Sequence, residues 1–172
     1  MFHRFWKVSS AFLVGLVVTV SAASGNGLAA PSGPVVLVVS GAIKVTNQGE
    51  TAEFDMAMLE ALDSTVIETT TLWTDGVQRF RGASLVALTD LLGIESGTLH
   101  AVAMNDYSTD IPVSDAVDGG PIIAYELNGA HMSLRNKGPL WIVYPYDSDD
   151  VYRSEQIYTR SIWQLDRIEA VQ

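Results

Sequence analysis

The sequence predicts one small α+β domain with mixed or antiparallel sheets and two or three short helices, preceded by an export leader. Three observations carry this. Short β-branched or alternating runs dominate from residue 35 onward, and only two segments space their apolar residues as a helix does. No regular βαβ alternation and no Gly-rich phosphate fingerprint occurs, which sets aside a doubly wound dinucleotide fold.

The leader is read from residues 1–30. Arg4 and Lys7 form a short basic stretch, and Ala11 to Val20 is apolar apart from Thr19. That run is roughly ten residues long, as in a signal peptide, whereas a membrane span needs about 20. Small residues at Ser21–Ser24 and at Gly27–Ala29 offer cleavage sites, so processing is expected between residues 23 and 30. The alternative is an uncleaved anchor. No cysteine follows the apolar run, which removes a lipoprotein tether. Residues 31–172 are then a single secreted or periplasmic domain, with no stable membrane insertion after cleavage.

Along the domain, Val35 to Ser40 reads as a buried strand closed by Gly41. Asn47-Gln48-Gly49 is a turn. Phe54, Met58 and Leu62 recur at helical spacing and predict a helix over about 54–62. Ser64 to Thr71 is Thr-, Val- and Ile-rich and reads as a strand. Ser84 can cap a second helix carrying Leu85, Leu88, Leu91 and Leu92, ended by Gly93. Thr98 to Met104, Pro121 to Glu126 and Leu140 to Tyr144 read as strands. Asn128-Gly129 and Lys137-Gly138-Pro139 are the turns between the later ones. Ile162 to Ala170 alternates and closes the domain as a strand.

Composition narrows the chemistry. The chain holds ten Lys and Arg against 20 Asp and Glu, and no cysteine. Arg4 and Lys7 belong to the leader, so the domain is more acidic still, which argues against nucleic acid or anionic lipid as a partner. Without cysteine there is no thiol nucleophile, thiolate metal site or haem attachment, and the core must suffice without disulfides. The basic residues are unevenly spread: Arg135, Lys137, Arg153, Arg160 and Arg167 crowd the C-terminal end, leaving Lys44, Arg79 and Arg81 elsewhere.

Familiar catalytic patterns are missing. His100 and His131, the only histidines after the leader, have no partner at metal-ligand spacing and read as structural or surface residues. No Gly-x-Ser-x-Gly elbow supports a serine triad. Asp147, Asp149 and Asp150 lack the Gly and Glu of a calcium loop. Two segments are richer. Asn105-Asp106-Tyr107 follows a strand and can aim hydrogen bonds into a cleft, or else form an Asx turn. Arg135 to Pro139 and Arg153 to Arg160 present cationic donors, with Gly138 permitting close backbone approach, or else pair with acidic groups. Trp73, Tyr158 and Trp163 can supply stacking surfaces, or else fill the core.

From Trp73 onward the chain resembles the molybdopterin-binding domain of the sulfite oxidase family. The stretches that carry the resemblance are "RFRGASLVALTDLLG", "NDYSTDIPVSDA", "IIAYELNGAHMSLRNKGPLWIVYP" and "RSIWQLDRIEAV", in the family's order. It implies that family's mixed α+β fold and a pterin-shaped cleft. The family's metal-holding cysteine would fall near Thr69 to Thr71, where this chain has threonines. Trp141 stands where the family has an arginine after the Gly-Pro-x turn, and Trp163 stands where it has a lysine. Arg160 matches a basic family position. A metal dithiolene needs the thiolate and a cofactor phosphate needs the charges.

The resemblance therefore points to the family's cysteine-free, periplasmic pterin-binding members, which sense rather than catalyse. The expected ligand is a free pterin such as neopterin, monapterin or biopterin, with no molybdenum and no catalytic cofactor. Its expected contacts are Trp73, Asn105, Asp106, Tyr107, Arg135, Lys137, Arg153, Tyr158, Arg160 and Trp163. The expected partner is the periplasmic domain of a membrane signalling protein. Two rivals remain: a ligand-free interaction module on the same fold, and a molybdenum oxidoreductase with a non-cysteine ligand.

Overall fold

A computed structural model describes residues 27–172, so the expected leader lies almost entirely outside the described residues. These residues form two five-stranded sheets and three short helices. The α+β expectation is met at that level.

The first sheet runs β2 (Ala52–Asp55), β1 (Val35–Gly41), β10 (Leu165–Val171), β5 (Thr98–Ala103) and β6 (Ser108–Pro112). β1 and β10 are parallel, with Val38 opposite Arg167, and the other neighbours are antiparallel. The second sheet is wholly antiparallel. It runs β3 (Ser64–Thr71), β4 (Thr74–Ser84), β7 (Ile122–Leu127) and β8 (Ala130–His131), and β9 (Trp141–Val143) also pairs with β7. Both sheets and the helices contribute to one continuous apolar core.

Local sequence explains most of these elements. β1 alternates and sends Leu37 and Val39 fully into the core. β7 is buried along most of its length and reads as a continuous apolar run for that reason. α2 (Leu85–Leu92) starts where Ser84 Oγ accepts the Ala87 N–H at 3.2 Å. It stops at Gly93, whose φ of 68° is left-handed and suits glycine. Its Leu85, Leu88 and Leu92 form the buried stripe.

Three expectations are corrected. The first helix, α1, spans Met56–Ala61 and not 54–62, because Phe54 is already committed to β2 as a buried strand residue. The last strand begins at Leu165, because Gln164 adopts a left-handed φ of 54° that interrupts the ladder. A register shift between Leu165 and Arg167 then breaks the alternation, so Leu165, Ile168 and Ala170 all face the core. β4, β6, β8 and α3 (Glu155–Arg160) had no counterpart among the expected elements. β4 is the instructive omission. Its sequence holds Gly76, Arg79 and Arg81, and only its C-terminal part is buried, so it lacks a hydrophobic run.

The N-terminal junction is held by Asp55, which is 2% exposed. One carboxylate oxygen accepts the Met58 N–H at 2.9 Å and caps α1. The other accepts the Ser32 and Gly33 N–H groups at 2.7 and 2.8 Å, together with the Ser32 hydroxyl. The Met58 bond first, and then those of Gly33 and Ser32, hold the carboxyl below its usual range. A group whose folded pKa is depressed stabilises above its unfolded value of about 4 and loses that contribution as pH falls through the folded one. Asp55→Asn is therefore expected to lower the urea midpoint at neutral pH, with the gap to wild type closing as the solution is acidified below about pH 4. Parallel urea melts at several pH values check this.

Candidate functional site

The site begins with Trp141, which is completely buried on β9. Its indole N–H donates to the Ser161 carbonyl at 3.1 Å, its backbone bridges to Trp163, and Ile142 N–H donates to the Ile162 carbonyl. The irregular stretch 161–164 is thus strapped across β9 just before it enters the first sheet as β10. Because Gln164 has left-handed backbone there, Trp163 stays at the surface and 37% exposed rather than turning into the core.

Trp73, in the turn between β3 and β4, lies over this strap. Its ring meets Trp163, Trp141 and Tyr158 edge-on, at centroid distances of 5.5, 5.7 and 6.1 Å. Edge-to-face pairs of this kind contribute about 0.5–1.5 kcal/mol each beyond the area they bury. Trp73, Trp163 and Tyr158 wall a mostly apolar cavity of about 300 Å³, completed by Asn105 and Tyr107 from the turn after β5. The rest of the wall is Ala103 at the end of β5, and Thr159, Ser161 and Ile162 on the side of α3. A volume of that order suits a small flat ligand.

Of the ten expected ligand contacts, five line this cavity: Trp73, Asn105, Tyr107, Tyr158 and Trp163. Two more adjoin it. Lys137 has a left-handed φ of 68°, and its ammonium sits 4.9 Å from the Trp163 ring centroid and 5.7 Å from that of Trp141. Arg135 is exposed and lines a smaller recess of about 180 Å³ with Lys137, Trp141 and Trp73.

Three lie elsewhere, each already occupied. Asp106 does not line the cavity and accepts from Arg167 at 2.8 Å. Arg153 donates to the Tyr146 carbonyl at 3.0 Å and to Asp147 and Asp150, which fixes the loop before α3. Arg160 donates to Asp115 at 2.9 Å, with both side chains largely buried. Tyr144 donates its hydroxyl to the same Asp115 oxygen at 2.8 Å. Burial, and then the Asp115 charge, push the Tyr144 phenol far above its ordinary pKa, so it remains a donor.

Gly138 also differs from expectation. A Cβ there would come within 2.0 Å of the Met132 carbonyl oxygen, so the glycine serves a close backbone crossing inside the protein and not a ligand. In the Asn105 segment the Asx turn is real: Asn105 Oδ1 accepts the Tyr107 N–H at 3.2 Å, which leaves its amide nitrogen for the cavity. Thr159, Ser161 and Ile162 were not anticipated. The available signal was the polar interruption of the apolar pattern between Tyr158 and Leu165.

A broader depression of about 790 Å³ lies beside Asp90, Glu95 and Ser96, but no aromatic ring and no cation lines it. The aromatic cavity is therefore the better-equipped binding site. No described helix is long and apolar enough to cross a membrane. Neither a comparison with protein-family models nor one with curated proteins finds a match for this chain.

The two arginines should separate cleanly on mutation. Arg160→Ala leaves Asp115 largely buried beside Tyr144 without its cation, and breaking such a pair costs about 3 kcal/mol. Arg135→Ala, at an exposed site in no ion pair among the described residues, is expected to stay within about 0.5 kcal/mol of wild type. Urea denaturation of both variants measures the difference.

Proposed function

We propose that this chain is an exported, non-catalytic pterin-binding protein of sulfite oxidase-like fold, whose aromatic cavity holds a free pterin of the neopterin, monapterin or biopterin type. One observation carries the proposal: a cavity of about 300 Å³ walled by Trp73, Tyr107, Tyr158 and Trp163, with the Asn105 amide at its edge. A bicyclic heterocycle needs flat apolar faces for its rings and an amide for its polar edge, and both are provided. The Trp163 ring offers area to the ligand while carrying Lys137, and the nearby ammonium suits an electron-rich carbonyl or a hydroxylated tail.

The residues present do not fit a molybdenum cofactor. The chain has no cysteine. The threonines at the corresponding stretch have committed hydroxyls: Thr69 is buried and accepts the Asp147 N–H, and Thr71 binds Thr74 and the Trp73 N–H. Arg160, the basic position shared with the family, is held by Asp115.

A reader of a small molecule in the periplasm needs an output, and the proposed one is the periplasmic domain of a membrane signalling protein. The rival, an interaction module without ligand, draws on exposed apolar side chains at the β3–β4 hairpin: Leu72 at 66% and Val77 at 65%. Binding and capture experiments separate the two. Ligand-stripped protein given neopterin at about 100 times its dissociation constant gains about 2.7 kcal/mol of stability by mass action. Trp163→Ala, truncating a partly exposed wall, is expected to fold and to weaken pterin binding by about tenfold, the equivalent of about 1.4 kcal/mol. No stabilisation by any free pterin at millimolar concentration would leave the interaction module as the better account. Pterin-dependent recovery of a membrane signalling protein on immobilised chain is the expected capture result, and its consistent absence removes the proposed output.

A further inference from the structure

Outside the lining of the aromatic cavity, the second sheet and α1 bring together a second set of chemistry-bearing side chains. Glu126 of β7 lies directly opposite His131 of β8 in the antiparallel register, so both side chains stand on one face. Glu60 of α1 reaches the same face. One ligand atom from each of the three lies within 4.8 Å of the other two, and His131 Nε2 is 3.3 Å from Glu60 Oε1. The sequence gives no hint of this grouping, because 66 positions separate Glu60 from Glu126 and the strand register alone supplies the third donor.

We propose that Glu60, Glu126 and His131 form a binding site for a borderline divalent transition ion of the Zn²⁺ class. Zinc holds imidazole nitrogen and carboxylate oxygen at about 2.0–2.2 Å, which places adjacent donors of a tetrahedron roughly 3.3 Å apart. The His131–Glu60 edge already has that length. The other edges need only rotamer-scale movement of two flexible glutamates. The imidazole distinguishes this group from a patch of carboxylates, since nitrogen donors favour zinc-class ions over calcium or magnesium. One-histidine, two-carboxylate ligation leaves a fourth position for water or for a donor from a partner.

The competing interaction is visible and incomplete. Arg81 approaches Glu126 Oε1 at 3.2 Å, but it is also anchored by donating to Ser64 Oγ at 3.0 Å and by lying over the Tyr125 ring. It thus occupies one carboxylate oxygen and leaves the other. Glu126 is the least exposed of the three side chains, at 16%, while His131 is 55% exposed and open to an arriving ion. A bound ion would tie α1 to the β7–β8 hairpin, from which the chain passes directly to Arg135 and Lys137.

The test is calorimetric titration of the chelator-treated, folded chain with ZnCl₂, with circular dichroism of each variant to check its fold. The expected result is one saturable equivalent of zinc, not displaced by excess Ca²⁺ or Mg²⁺. Affinity falls by about tenfold or more in His131→Ala and independently in Glu60→Gln, and is unchanged in His100→Ala. No zinc binding up to millimolar concentration overturns the site. So does an equivalent that survives both variants, which would be diffuse attraction to an acidic surface. Either failure leaves pterin binding, measured on the same samples, unaffected.

Discussion

The structure depends on the strap formed by Trp141, Ser161 and Trp163. Trp141 is wholly buried on the second sheet, and its indole N–H and backbone hold residues 161–163 as they leave α3 and approach the first sheet. An indole with no water contact must place its N–H on an acceptor, and here that acceptor is the Ser161 carbonyl. That requirement fixes the path of the chain, and the path fixes Trp163 at the cavity mouth. Tyr146 reinforces it from below by donating to Ser161 Oγ at 2.7 Å, with burial pushing its phenol up to about 12 so that it remains a donor. The site is then a consequence of how two sheets are joined.

The sequence showed this unevenly. β3 was legible to the residue, because a Thr- and Ile-rich run between turns has little competing interpretation. α2 was equally clear, since capping serine, apolar stripe and terminating glycine agree. Phe54 misled because its spacing to Met58 satisfies a helical period even though its own backbone belongs to β2. The left-handed Gln164 could not be foreseen: nothing in its residue type requires a positive φ, and only the strap explains it.

The cationic C-terminal segment illustrates the same limit for the site. Arg135, Lys137, Arg153 and Arg160 look alike as a skew in composition. In the fold they have four separate fates: an exposed guanidinium at a recess, an ammonium over two indoles, a loop brace, and a largely buried ion pair. What separates them is the position of Asp115, Asp147 and Asp150, which tertiary structure alone supplies. The aromatic candidates transferred better. Trp73, Tyr107 and Trp163, each near a strand end, and Tyr158 on α3 all reach one cavity.

The proposed occupant of this cavity is a flat heterocycle held against its indoles. Tryptophan fluorescence of ligand-stripped protein, titrated with neopterin and corrected for absorption by the pterin, tests it most directly, since Trp73 and Trp163 both line the cavity. Saturable quenching at one pterin per chain is expected, with the midpoint moved about tenfold higher in Trp163→Ala. Unchanged emission at millimolar pterin, or quenching that rises linearly without saturation, would contradict it.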